Sequence, residues 1–188
     1  MFIDIPPQHQ ERVICAITAS IKYAVPANIV LAVAEKEAGK PGQWVRNTNG
    51  THDVGVMQFN TTYLKQLSHY GITANDVAAK GCYPYDLAAW RLHGHISKDT
   101  GDIWTRAANY HSRTPKYNAI YRADLIKKAN KWAAWIQKNL TKNPASLPEV
   151  AATLPKVVHT VEHTKPSTQV AMTSVYVPRA ISIKNGNE

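Results

Sequence analysis

The fold is decided by residues 26–60, which read PANIVLAVAEKEAGKPGQWVRNTNGTHDVGVMQFN. Pro26 suits the first position of a helix, where its missing N–H costs nothing. Apolar residues then recur at spacings of three and four, which predicts one buried helical face made of Ile29, Val30, Val33 and Ala34. Gly39 and Pro41 are typical of a helix end. The stretch therefore predicts a buried helix, a polar loop and a turn of small residues.

Two glutamates near the end of this helix receive different environments from their spacing. Glu37 continues the apolar face, whereas Glu35 lies about 200° away around the helix and is expected to face water. Desolvation and the negative helix end both raise the pKa of a carboxyl such as Glu37. A glutamic acid still protonated near neutral pH is what acid-catalysed cleavage of a glycosidic bond requires. The helix alone also allows Glu37 to snorkel or to pair with Lys36 or Lys40.

Length and charge limit the classes of protein. A chain of 188 residues can bury one good core, so we expect one domain. It has 22 Lys and Arg against 13 Asp and Glu, a net charge of +9. The expected partner is therefore anionic: a cell wall, a nucleic acid or a membrane surface. No run of about 20 apolar residues is present, so no membrane-spanning helix is predicted.

Helical spacing continues along most of the chain. Helices are predicted over residues 10–23, 61–69, 74–81, 85–96, 102–110 and 117–140. The last of them is expected to bury a stripe that includes Ile120 and Leu125. Gly and Asn make residues 40–54 a loop. The fold class is therefore mainly α, with a helical domain over residues 10–142. Residues 1–9 are predicted to be an irregular arm, and residues 143–188 a Pro- and Thr-rich, disordered and flexible tail.

Cysteines, histidines and the N-terminus add three smaller expectations. Cys15 and Cys82 are far apart in sequence and are either a disulfide or two buried thiols. His93 and His95 are two apart and diverge on a helix, so no metal site is expected. Residues 1–12 do not have the pattern of an ordinary signal peptide, which leaves the export route open.

Three blocks stand in order in residues 34–39, 53–60 and 108–112, which read AEKEAG, DVGVMQFN and ANYHS. Their order resembles the soluble lytic transglycosylase family, which shares the goose-type lysozyme fold. That family has Glu-Ser, Gly-Leu-Met-Gln and Ala-x-Tyr-Asn blocks and a late tyrosine. The similarity covers about residues 10–135. It is greatest to the small branch that accompanies conjugation, type III and type IV secretion, and pilus systems, where NGTHDVG and Tyr-His-Ser recur.

The resemblance implies roles for individual residues. Glu37 matches the catalytic acid and base. The late tyrosine that orients this acid matches Tyr121, and Asn60 is placed to cap the next helix. The positions that match substrate-binding residues of the family are Gly55, Met57, Gln58, Tyr110, His111 and Tyr121.

The chain departs from the family pattern at two positions, and the resemblance also implies one disulfide. Ala38 replaces the usual serine after the acid, and His111 replaces an asparagine. Members of the branch carry cysteines near both positions found here. The resemblance therefore implies a disulfide between Cys15 and Cys82, and with it an oxidising periplasm.

The implied reaction cleaves the β-1,4 bond between N-acetylmuramic acid and N-acetylglucosamine without water. Glu37 protonates the leaving oxygen and then takes a proton from the muramic C6 hydroxyl, which closes a 1,6-anhydro ring. The substrate's N-acetyl group stabilises the cationic centre, so no second carboxylate is required. The expected protein is a periplasmic monomer without cofactor or metal. Its partners are peptidoglycan strands and, through the tail, subunits of a secretion or conjugation apparatus.

Other functions remain open at this point. Asp53 is the nearest spare acid, and if it faces the cleft it can activate water, as in a lysozyme-type hydrolase. Turn chemistry also allows Asp53 to bond the backbone amides of its own loop. A non-catalytic peptidoglycan-binding assembly factor is another alternative. Nucleic-acid binding is disfavoured, because no helix has a dense Lys/Arg face interleaved with aromatics.

Overall fold

The computed structural model describes residues 7–140 of the chain. The predicted tail over residues 143–188 and most of the predicted arm over residues 1–9 lie outside the described residues. Helices make up most of the described part, and three short strands lie between the second and third helix. The elements are α1 (Pro7–Lys22), α2 (Ala27–Glu37), β1 (Trp44–Arg46), β2 (His52–Val54), β3 (Phe59–Asn60), α3 (Thr61–Leu67), α4 (Ala74–Ala78), α5 (Tyr83–Lys98), α6 (Ile103–Ala108) and α7 (Pro115–Leu140).

Helix α2 occupies the centre of the fold. It packs against α1, α5 and α7, and all six residues from Ile29 to Ala34 are buried. The prediction of one buried face was therefore too narrow, since a helix that is apolar on every side is enclosed by its neighbours. The helix ends at Glu37, and Ala38 adopts a left-handed conformation with φ of 49°. Its N–H bonds to the carbonyl of Ala34, which completes the last turn.

A small antiparallel sheet replaces much of the predicted loop. β1 pairs with β2, with Trp44 opposite Val54, and β2 pairs with β3, with Asp53 opposite Asn60. The prediction of a loop over residues 40–54 was wrong for β1 and β2. Strands of two or three residues are too short for the alternation of polar and apolar residues that reveals longer ones.

The remaining helices are those that the spacing predicts, with shifted ends. α1 begins at Pro7 rather than near Gln10, because a polar first turn carries no periodic signal. α4 ends at Ala78, and α7 begins at Pro115. Asn60 caps α3 as expected, since its side-chain oxygen accepts from the N–H of Thr62 at 3.0 Å.

A disulfide and a continuous core hold these elements together. Cys15 of α1 is bonded to Cys82, which immediately precedes α5, and their Cα atoms are 4.9 Å apart. This is the pairing that the resemblance implies. The largest fully buried side chains are Phe59, Ile29, Leu31, Met57, Ile72, Leu87, Leu92 and Leu125. None of the helices within residues 7–140 is long and apolar enough to cross a membrane.

Candidate active site

Glu37 is held at the end of α2 by a tyrosine from α7. The hydroxyl of Tyr121 donates a hydrogen bond of 2.7 Å to Oε1 of Glu37. Burial raises the pKa of Glu37 to about 7. The hydrogen bond from Tyr121 opposes this rise, the charge of Asp53 adds to it, and the charges of Arg91 and Lys36 reduce it. The carboxyl can therefore be protonated near neutral pH.

The alternative in which Glu37 pairs with a neighbouring lysine is not what the structure shows. The ammonium of Lys36 is 2.7 Å from the carboxylate of Asp124, on α7. Among the described residues, no ion pair includes Glu37 or Lys40. Tyr121 therefore remains the hydrogen-bonding partner of this carboxyl.

Glu35 does not face open water, which corrects its expected environment. Its carboxylate accepts from Lys131 at 2.6 Å and from the indole N–H of Trp132 at 2.7 Å. Both partners belong to α7, which packs along α2 and covers the face that spacing alone left open. The two glutamates still differ, because Glu35 bonds cationic and indole donors whereas Glu37 is desolvated beside a tyrosine.

The turn from Gly55 to Gln58 lies against the end of α2. The side-chain amide of Gln58 donates to the carbonyl of Gly55 at 2.8 Å, and Gln58 has a positive φ of 49°. A Cβ on Gly39 would be 2.1 Å from that carbonyl oxygen, so only glycine permits this contact. At Gly55, with φ of 71°, a Cβ would be 2.1 Å from the carbonyl of Val77. Gly39 stands in the first motif block, but it was expected only to end the helix and not to contact this turn.

Met57 and Tyr110 support this turn from the interior. The hydroxyl of Tyr110 donates to the carbonyl of Met57 at 3.0 Å, and both residues are buried. Neither presents an open side-chain surface, so their contribution in this structure is to fix the turn. Their role in substrate binding, like that of Gly55 and Gln58, stays a prediction.

His111 lies on the other side of Tyr121. Its ring stacks on that of Tyr121, with centroids 4.8 Å apart and planes within 5° of parallel. Partial burial, and then the nearby charge of Lys36, lower the pKa of His111. The exposed His111 side chain therefore forms a flat, neutral surface beside the acid near neutral pH.

A groove of about 260 Å³ opens beside the acid. Its lining residues are Lys36, Glu37, His111, Tyr117, Ile120 and Tyr121. The prediction that Ile120 is buried was wrong, since 64% of it is exposed, as is 54% of Tyr117. The spacing of Tyr117, Ile120 and Tyr121 by three and four residues places them on one face of α7, but this spacing alone does not distinguish a groove from a buried face.

Asp53 lies close enough to Glu37 for its charge to raise the pKa of that carboxyl. Its Oδ1 accepts from the side-chain amide of Asn60 at 2.9 Å, across the β2–β3 pair. Among the described residues, Asp53 accepts no hydrogen bond from a backbone amide of its own loop. Its hydrogen bond is the one from the side chain of Asn60. Asp53 is thus half-buried and fixed near the acid.

The described residues do not assemble a metal centre. His95 bonds to Asp99, whereas Nδ1 of His93 lies 2.8 Å from the carbonyl of Tyr23. Within residues 7–140, no three His, Cys, Asp or Glu side chains come together as metal ligands do.

A helical fold with a small sheet and a desolvated glutamate between them define a lysozyme-like domain. Residues 14–132 match the transglycosylase SLT domain, so the chain belongs to this family. The resemblance to soluble lytic transglycosylases is therefore confirmed. At the level of the family, its function is that of lytic transglycosylases, which act on peptidoglycan.

Two relatives illustrate the similarity. Protein IpgF of Shigella flexneri is 28% identical over 136 residues, which cover 70% of this chain and 89% of IpgF. Invasion protein IagB of Salmonella typhimurium is 28% identical over 115 residues, which cover 61% of this chain and 71% of IagB.

Proposed function

We propose that this protein cleaves the β-1,4 bond between N-acetylmuramic acid and N-acetylglucosamine and forms a 1,6-anhydro product. The observation that supports this reaction is the environment of Glu37. Its pKa is raised to about 7 by burial, and its carboxyl accepts a hydrogen bond from Tyr121. A single group with this pKa can donate a proton in one step and accept one in the next.

In the first step, protonated Glu37 donates its proton to the glycosidic oxygen. The bond from this oxygen to C1 of the muramic residue breaks, and N-acetylglucosamine leaves with the proton. The carbonyl oxygen of the muramic N-acetyl group bonds to C1 and stabilises the positive charge. Glu37 is left ionised, and the hydrogen bond from Tyr121 stabilises this form.

In the second step, ionised Glu37 takes the proton of the muramic C6 hydroxyl. The C6 oxygen attacks C1, the N-acetyl oxygen leaves C1, and the 1,6-anhydro ring closes. No water is consumed, and Glu37 is protonated again for the next cycle. Both steps use the same carboxyl, so its pKa near neutrality suits donation and acceptance alike.

The position of Asp53 favours one second candidate, a lysozyme-type hydrolase. Its negative charge acts directly on Glu37. A carboxylate near the acid can take a proton from water, which would then attack C1 and leave a reducing end. The hydrogen bond from Asn60 engages one oxygen of Asp53 and opposes this role.

Product analysis separates the two reactions. Purified peptidoglycan is incubated with the protein, and the released fragments are identified by mass spectrometry. Anhydro ends support the proposal, whereas hydrated reducing ends would favour the hydrolase. In the hydrolase, Asp53→Asn would be expected to abolish the release of these reducing ends. Binding without release would leave a non-catalytic wall-binding factor.

Two glutamate variants test the assignment of the acid. Glu37→Gln is expected to abolish release, because its amide cannot donate the proton. Glu35→Gln is the matched control on the same helix and is expected to keep the anhydro product. Continued cleavage by folded Glu37→Gln would reject Glu37 as the acid.

We further propose that the protein acts in the periplasm and opens the wall locally for a secretion or conjugation apparatus. The disulfide supports an oxidising compartment, and the similarity to an invasion protein supports such an apparatus. Contact with apparatus subunits through residues 143–188 belongs to the same proposal. Alkylation of free thiols in protein taken from cells tests the compartment. Two thiols that react after denaturation would contradict it.

A further inference from the structure

Arg91 of α5 lies against two tyrosine rings near the catalytic carboxyl. Its guanidinium carbon is 4.1 Å from the ring centroid of Tyr63 and 4.6 Å from that of Tyr110. Phe59 packs beside both rings, at centroid distances of 6.2 and 6.3 Å. We call Arg91, Tyr63 and Tyr110 the arginine clamp. The rings orient the guanidinium and reduce the cost of holding it half-buried.

The cation of the clamp is not matched by a protein acceptor. Within residues 7–140, the side chain of Arg91 takes part in no ion pair and no hydrogen bond, although a guanidinium offers five N–H donors in its plane. Three other arginines reach an oxygen of the protein. These are Arg106 with the carbonyl of Ile96, Arg113 with Asp99, and Arg122 with Thr105. Arg91 therefore differs from them in having stacking contacts only.

The clamp stands beside the candidate active site, although Arg91 does not line the 260 Å³ groove. The positive charge of Arg91 acts on Glu37 and lowers the pKa of that carboxyl. The hydroxyl of Tyr110 also bonds the carbonyl of Met57, which joins the clamp to the turn before Gln58. A strand bound across Glu37 would therefore pass near this guanidinium.

We propose that Arg91 binds a carboxylate of the glycan strand and so selects strands that contain muramic acid. The ligand is the substrate of the proposed function, so the inference rests on that function. Such a strand offers a carboxylate in two places: on the lactyl group where no peptide is attached, and within the stem peptide. A planar guanidinium held by stacking can bond both oxygens of a carboxylate, which a neutral chitin-like strand does not offer.

Binding measurements on a matched pair of ligands test this. Full-length protein carrying Glu37→Gln, which does not cleave, is titrated with soluble strands. The strands have either free carboxylates or the same carboxylates converted to amides. We expect the amidated strands to bind about tenfold more weakly, and we expect Arg91→Gln to bind both forms alike. An equal loss for both ligand forms in Arg91→Gln, or no loss at all, would overturn the proposal.

Two further variants separate a specific role of the guanidinium from a general effect of positive charge. Lys98→Gln removes one positive charge from the exposed end of the same helix and is expected to keep the preference for free carboxylates. Arg91→Lys keeps the charge without the planar fork and is expected to lose part of that preference. If Arg91→Gln does not fold, the lysine variant carries the test. An unchanged preference in Arg91→Lys and in Arg91→Gln would show that the arginine only packs or tunes Glu37.

The two sources of carboxylate are distinguished by the strands themselves. Strands freed of peptide by an amidase carry lactyl carboxylates, whereas intact strands carry only those of the stem peptide. Each kind of strand is compared with its own amidated form. The kind for which Arg91→Gln no longer prefers the free carboxylate identifies the source. Carboxylate-dependent binding without anhydro product would contradict the proposed function and support the clamp. Anhydro product without carboxylate dependence would support the proposed function and contradict the binding role of Arg91.

Discussion

The pKa of Glu37 results from opposing interactions at a single carboxyl. Burial favours the protonated form, whereas the hydrogen bond from Tyr121 favours the ionised form. Without burial the group would be ionised and unable to donate, and without the hydrogen bond it would release its proton less readily and lose the partner that stabilises its ionised form. The balance near pH 7 is what a residue with two alternating roles needs.

The first prediction concerns Tyr121→Phe, which removes this hydrogen bond and keeps the ring that stacks on His111. Because the bond lowers the pKa of Glu37, its loss raises that pKa above about 7. The alkaline limb of the rate profile, where the acid loses its proton, therefore moves to higher pH. The rate at the optimum falls by about tenfold or more, because ionised Glu37 loses its partner. Initial rates at low concentrations of soluble strands, measured across pH, check both effects.

Tyr70→Phe is the control for this variant. Tyr70 is 43% exposed and lies in the 3-10 turn after α3, away from the groove. Its profile is expected to match that of the wild type. A folded Tyr121→Phe protein whose alkaline limb stays in place or moves to lower pH would contradict the assigned role.

At the scale of residues, sequence spacing predicted the desolvation of Glu37 but not its partners. The two partners of Glu35, Lys131 and Trp132, also lie on α7, far along the chain, and no local pattern encodes these contacts. Ile120 fits a helical apolar stripe, but the groove leaves it exposed. Periodicity reports which face is apolar, whereas the distinction between a buried and a ligand-facing apolar residue depends on the packing of other elements.

At the scale of elements, the end of α2 and the turn after β2 meet through two glycines. The second prediction is that Gly39→Ala destabilises the fold by about 1–3 kcal/mol and lowers activity more than tenfold. Its Cβ would be 2.1 Å from the carbonyl oxygen of Gly55 and 2.6 Å from the amide nitrogen of Gln58. The turn or the helix end must then move, and both carry site residues. Urea unfolding and initial rates measure the two effects.

Gly94→Ala provides the matched control. Gly94 lies within α5, and a Cβ there would meet no atom within 4 Å. Because alanine is the better helix former, we expect a gain of about 0.5–1 kcal/mol in the free energy of unfolding. Its activity is expected to remain that of the wild type. Unchanged stability and rate in Gly39→Ala would contradict the role assigned to the contact between Gly39 and Gly55.

The disulfide is the subject of the third prediction. It links α1 to the start of α5 across 67 residues, so reduction restores a long, flexible loop to the unfolded chain. We expect reduction to cost about 2–4 kcal/mol in the free energy of unfolding and to lower Tm. Thermal unfolding with and without a reductant measures the change. A chain in which both Cys15 and Cys82 are alanine should be destabilised and insensitive to reductant. The same Tm for oxidised and reduced wild type would contradict the structural role.

Among the elements, length decided what the sequence could reveal. α2, α5 and α7 each have more than ten residues, so their apolar period is visible above local variation. β1 and β2 have three residues each and read as a polar loop, and the two residues of β3 are too few to show a pattern. Their pairing nevertheless places Asp53 and Asn60 side by side, and this contact has no signature in the local sequence.

At the scale of the whole molecule, the site is shared among distant parts of the chain. α2 supplies Glu37, the proposed acid; the turn after β2 lies against the end of that helix. The segment between α6 and α7 supplies His111, and α7 supplies Tyr121. All of these lie between residues 27 and 140. Most of the net charge lies in the same part of the chain. All but four of the 22 basic residues and all but three of the 13 acidic residues lie in residues 1–142.

The fourth prediction follows from this distribution. A chain that ends at residue 142 retains every described contact of the site and a charge of +8, so it should bind and cleave isolated peptidoglycan at about the rate of the full chain. Both chains should bind more weakly as salt screens their charge. Clearing of peptidoglycan suspensions at low and high salt measures this, with the shortened Glu37→Gln chain as the inactive control. A shortened chain that folds but no longer cleaves would place part of the catalytic apparatus in residues 143–188. Equal cleavage of isolated wall by both chains would show that residues 143–188 are not needed for cleavage, as the recruiting role proposed for them above requires.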